Sequence, residues 1–73
     1  MKKEVLEEMT NEALKKFWLK MQGYEFSRQT KIRMTALYNK IYSRNDKKYL
    51  ELHRFELIDL VSKELLKRVT SII

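Results

Sequence analysis

The chain has 73 residues, a net charge of +6, one glycine, no proline and no cysteine. That is one small domain, 1–73, too short for a second, and it offers neither a disulfide nor a thiolate metal site. The lack of turn residues excludes a β-sandwich or barrel, and a lone glycine excludes the glycine-rich phosphate loops. What remains is an all-α fold, a small compact bundle of three main helices with a short fourth element near residues 46–53.

The first 22 residues read as helix. Ala13, Leu14, Phe17, Trp18 and Met21 share one face at about 100° per residue. Val5, Leu6 and Met9 lie on an arc offset from it, so a restart is expected at Thr10, a good N-cap followed by Asn11 and Glu12. One long drifting helix from about 3 to 22 is the competing reading. Gly23 is placed to end the segment, because glycine accepts a left-handed backbone.

Tyr24-Glu25-Phe26 is the connection, and Ser27 caps a second helix. Met34, Leu37, Tyr38, Ile41 and Tyr42 form its apolar face. Asn45-Asp46 reads as a turn, with Asp46 a second N-cap. A hairpin here, pairing Tyr42 with Tyr49, lacks the glycine such turns favour.

In the last third, Phe55, Leu57, Ile58, Val61, Leu65, Leu66, Val69, Ile72 and Ile73 share half of a helical wheel. Extended backward, the pattern inverts: Glu51 and Arg54 fall on the apolar side, Tyr49 and Leu52 on the polar side. A break near His53-Arg54 is therefore expected, preceded by a short helix or an irregular arm.

Charge is unevenly spread. Residues 1–12 hold two lysines against four glutamates, 13–54 eleven basic side chains against three acidic, and 55–73 three of each. The aromatics, Phe17 to Phe55, fall near or inside the basic middle. Basic residues interleaved with aromatics suggest a polyanion, nucleic acid above all. The stretch from Gly23 to Arg33 has the outline of a helix-turn-helix: a helix ends at glycine, a turn follows, and a second helix opens with Ser, Arg, Gln and Thr. Arg28, Gln29, Lys31 and Arg33 are the candidate groove contacts. Lys15, Lys16, Lys20, Arg44, Lys47 and Lys48 are candidate phosphate contacts. The expected role is a small DNA-binding regulator, with double-stranded DNA as ligand.

The alternative is a protein-interaction module docking on an acidic partner protein through Trp18, Leu19, Tyr24, Phe26, Ile32 and Leu60. Leu19, Ile32 and Leu60 sit off the apolar faces of their helices. If clustered, they would make a partner or homodimer patch, and so small a core would gain from dimerisation.

No chemistry is specified. His53 is the sole histidine and reads as a surface residue at a bend; with Glu56 it makes a metal pair at most. Glu4, Glu7, Glu8 and Glu12 read as helix N-terminal charges and partners for Lys15 and Lys16. Neither enzyme activity, nor a metal, nor a cofactor is expected. No apolar run exceeds three residues, so no bilayer span is expected. The N-terminus lacks a signal-peptide core, so the expected location is cytoplasmic.

Overall fold

The protein is described by a computed structural model covering residues 2, 4–23 and 26–70. Four helices follow one another: α1 (Glu4–Glu7), α2 (Asn11–Met21), α3 (Arg28–Tyr42) and α4 (Glu51–Thr70). Among the described residues there is no strand, so the hairpin around Asn45-Asp46 does not form. Residues 43–50 instead make an irregular arm between α3 and α4.

The helix boundaries have local causes. Thr10 is extended (φ −71°, ψ 159°), and its hydroxyl accepts the Ala13 N–H at 3.1 Å, so the restart there is real and the single long helix is not. Gly23 follows α2 at φ +104°, a backbone that strains any side chain. Ser27 caps α3, its hydroxyl accepting the Thr30 N–H at 3.3 Å. Ser43 ends α3 in the left-handed region (φ 55°, ψ 45°) without being glycine.

α4 is the spine. α2 packs against it most extensively, then α3, then α1. The core is Leu6, Leu14, Phe17, Met21, Met34, Tyr38, Ile41, Leu57 and Val61, each contributing about 1.5–3 kcal/mol by leaving water. The expected faces of α2 and α3 are those that pack.

α4 departs from its expected reading in two ways. It runs unbroken from Glu51 to Thr70, with no bend at His53-Arg54. Its inward stripe is His53, Leu57 and Val61, whereas Phe55 (65%), Leu66 (66%) and Val69 (59%) are exposed. Ile72 and Ile73 lie outside the described residues.

The polar residues on the inner half of α4 are tolerated because each meets a partner. The Arg54 guanidinium donates to the Met21 carbonyl at 3.0 Å and lies 4.7 Å from the Phe26 ring centre. Arg68 donates to the carbonyls of Leu6 (3.0 Å) and Glu7 (3.2 Å), to Asn11 (2.8 Å) and to Glu64 (3.0 Å). These arginines therefore close the carbonyl ends of α2 and α1, which helices leave unsatisfied and partially negative.

Candidate nucleic-acid interface

α3 carries Arg28, Lys31, Arg33 and Lys40 and no acidic residue. Its inner side is fixed by Met34, Tyr38 and Ile41, all buried. Three- and four-residue spacing then turns Arg28, Gln29, Ile32, Arg33, Ala36 and Lys40 outward, and all six are exposed. They form one ridge along the helix, with a small residue at its centre.

A basic groove flanks the ridge on each side. Between α3 and the arm, Arg28, Lys31, Lys47 and Lys48 line one groove together with Asp46, Ile32, Thr35, Ala36, Asn39 and Tyr49, four cations against one carboxylate. Toward α2, Arg33 lines a second groove with Lys16, Lys20, Glu12 and Phe17, three cations against one carboxylate. That groove continues past Arg33 to Ala36, Leu37 and Lys40. Lys31 stands 5.4 Å from the Phe26 ring centre and 5.5 Å from that of Tyr49; Arg33 stands 5.9 Å from that of Phe17.

The arm holds its shape through buried polar chemistry. Asn39 bonds the Asp46 backbone twice, donating to its carbonyl at 2.9 Å and accepting its N–H at 3.1 Å. His53 is fully buried, which corrects the expected surface histidine. Its Nδ1 accepts the Leu50 N–H at 3.0 Å. That makes His53 half of a capping box, a side chain in the first turn satisfying the N–H just before the helix. With Nδ1 an acceptor, the neutral ring carries its proton on Nε2, which donates to the Asp46 carboxylate at 3.0 Å. The Thr35 hydroxyl lies 3.4 Å from Nδ1 and donates to the Lys31 carbonyl at 3.0 Å. The hydrogen bond from His53, and then Arg44, hold the Asp46 carboxyl below the ordinary carboxylate range. Lys47 and Lys48 are thus presented by an arm pinned to both α3 and α4.

Two tyrosines border this region. Burial, and then the Glu56 carboxylate that its hydroxyl donates to at 3.2 Å, push the Tyr42 phenol up. The Tyr49 phenol is also raised, chiefly by burial and next by the charge of Glu51; its buried hydroxyl makes no hydrogen bond of good geometry among the described residues.

The expected phosphate contacts divide. Lys16, Lys20, Lys47 and Lys48 join the grooves. Lys15 is exposed but lines neither. Arg44 serves the arm, bridging to Asp46 at 3.2 Å and lying 5.8 Å from the Tyr38 ring centre. Lys40 was missed by sequence reasoning; its signal was its place seven residues after Arg33, on the same side of the helix. Among the described residues, ion pairs join Arg44 to Asp46, Arg54 to Glu51, Lys63 to Asp59, Lys67 to Glu7 and Arg68 to Glu64. Lys15 and Lys16 pair with none of the N-terminal glutamates, contrary to expectation; Glu7 reaches Lys67 instead.

The members of the docking set differ in their surroundings. The Trp18 indole N–H donates to the Ser62 hydroxyl at 2.8 Å, which ties the ring to α4. Phe26 packs edge-on to Tyr49 at 5.7 Å, and Leu60 packs against the core. Leu19 and Ile32 are exposed, but on α2 and α3 respectively. Tyr24 lies outside the described residues.

Residues 22–27 separate α2 from α3, a longer connection than the roughly three or four residues of a tight helix-turn-helix. Both helices lean on α4 more than on each other. Comparison with protein-family models, curated proteins and solved structures gives no match.

Proposed function

We propose that the protein binds nucleic acid, with double-stranded DNA as the ligand. The observation that carries this reading is the disposition of charge. Lys16, Lys20, Arg28, Lys31, Arg33, Lys40, Lys47 and Lys48 border one ridge and two adjoining grooves, and among the described residues none of them meets a carboxylate within 4 Å. Asp46 and Glu12 line the same grooves but leave cations in clear excess; like charges in excess on one face repel, and a polyanion relieves that repulsion while releasing its own counterions.

The shape suits a duplex. A major groove is about 12 Å wide and admits a helix. Arg28, Gln29 and Arg33 project from the first turns of α3, where a recognition helix meets base edges. Arginine reads guanine and glutamine reads adenine by paired hydrogen bonds. Lys16 and Lys20 on one side, and Lys47 and Lys48 on the other, are positioned for the flanking phosphates. The acid-free start of α3 adds its own partial positive charge. A small DNA-binding regulator is the role this implies, with α2 and α3 in helix-turn-helix order across a more open connection.

Fluorescence anisotropy of a labelled random duplex, titrated at several salt concentrations, tests the reading. The expected result is micromolar binding that weakens steeply with salt; six engaged phosphates give a log–log slope of about −5. Absence of binding at low salt, or binding indifferent to salt, contradicts it.

A further inference from the structure

The outward side of α4 is the largest feature that the basic face leaves unexplained. Leu52 (42%), Phe55 (65%), Leu66 (66%) and Val69 (59%) are exposed on it. With Asp59 and Lys63 they fall on one stripe about 120° wide, opposite the buried His53, Leu57 and Val61. The stripe has its large apolar side chains toward the two ends, beside Glu51 and Thr70, and is polar in the middle, where Lys63 and Asp59 pair at 3.0 Å and Ser62, at its edge, accepts from the Trp18 indole.

We infer that this stripe is a dimer seam occupied by a second copy of the chain, the two α4 helices running antiparallel about a two-fold axis at the level of Val61. The pattern is its own complement under that operation. Phe55 of one copy meets Leu66 of the other, and Leu52 meets Val69. Asp59 meets Lys63 twice, once on each side of the axis. A two-fold interface requires this kind of reciprocity, in which residue i contacts j and j contacts i. A parallel arrangement places Asp59 against Asp59 and Lys63 against Lys63, which like charges oppose.

Charge also selects the occupant. A chain of net charge +6 repels its copy, but the seam is locally balanced. The unpaired cations stand on α2, α3 and the arm, which pack on the inner side of α4. An acidic partner would find its complement on that basic side, and an anionic surface gains little from a stripe whose charges cancel. Pairing through α4 covers Phe55 and Leu66 and leaves both basic ridges facing outward.

Analytical ultracentrifugation of the full chain tests this. At about 100 µM chain the expected mass is twice the 9.0 kDa protomer. Phe55→Glu and Leu66→Glu are expected to return the protomer mass with unchanged far-ultraviolet circular dichroism, since both positions are already exposed. Asp59→Lys is expected to weaken the dimer about tenfold or more, and Asp59→Lys with Lys63→Asp to restore it. The absence of cysteine makes each introduced thiol unique. Oxidising a mixture of Phe55→Cys and Leu66→Cys chains is expected to cross-link 55 to 66 in preference to 55 to 55. A protomer mass for the unaltered chain, a dimer that survives Phe55→Glu, or dominant 55-to-55 cross-links overturns the proposal. Each of these outcomes is independent of whether a protomer binds DNA.

Discussion

α3 and α4 carry the same number of cations and use them in opposite ways. On α4, each of Arg54, Lys63, Lys67 and Arg68 meets a carboxylate, and the two arginines also close the carbonyl ends of other helices. On α3, Arg28, Lys31, Arg33 and Lys40 meet no carboxylate among the described residues. Cations with partners hold the fold together, whereas cations left unpaired on a ridge are available to a ligand. Composition alone does not separate these two uses; the positions of the acids and of the helix ends do.

The comparison breaks if the two sets prove interchangeable. The largest structural effect is expected at His53. Replacing it with alanine empties a fully buried site, strands the Leu50 N–H and leaves the Asp46 carboxylate with Arg44 alone, costing about 3 kcal/mol. Because the arm loses its anchor, DNA affinity is expected to fall as well. Urea unfolding and anisotropy on the same variant check both effects.

Next comes the contrast between the arginines themselves. Arg28→Ala with Lys31→Ala is expected to lower DNA affinity about tenfold to a hundredfold and leave the thermal midpoint nearly unchanged. Arg68→Ala is expected to do the reverse. It removes charged hydrogen bonds to two carbonyls, costing about 2 kcal/mol of stability, with binding to the folded protein unaffected. A melting curve and a titration for each variant decide.

A smaller effect is expected from pH. Asp46 titrates below its ordinary value of 3.8 because the folded state favours its ionised form, first through the bond from His53. A carboxylate with a depressed folded pKa contributes its stability in full above the ordinary value and loses it as pH falls toward the folded one. Asp46→Asn is therefore expected to flatten the acid limb of the stability curve below about pH 4, checked by urea midpoints measured from pH 6 downward. The smallest effect is at Ser43, which holds a left-handed backbone (φ 55°). Ser43→Gly is expected to stabilise by up to about 1 kcal/mol by removing that strain, read from the denaturation midpoint.

The legible parts of the molecule were those with local causes. Thr10, Gly23 and Ser27 act within a few residues of themselves, and the apolar stripes of α2 and α3 pack as their spacing says. α4 was misread because its phase was set by its largest apolar residues. Phe55 and Leu66 face outward, while the inward stripe begins with a histidine whose partners lie on the arm. The partners of Arg54 and Arg68 are carbonyls 33 and 62 positions away, which no helical wheel contains. Within the candidate interface, Arg28, Gln29, Lys31 and Arg33 at the start of α3 were singled out from the sequence, whereas Lys40 farther along the ridge was not. The division of labour between Arg44, which steadies the arm, and Lys47 and Lys48, which it presents, depended on the Asn39–Asp46–His53 network.

The most direct test of the central claim compares salt dependences. Duplex affinity is measured against salt for the unaltered chain, for Arg33→Ala with Lys40→Ala, and for Arg54→Ala with Lys67→Ala. Both variants lose two positive charges, but from opposite classes. The account predicts that the α3 variant loses about two units of log–log slope and the α4 variant close to none. Equal slopes for the two variants would contradict it, because net charge and not the unpaired ridge would then govern binding.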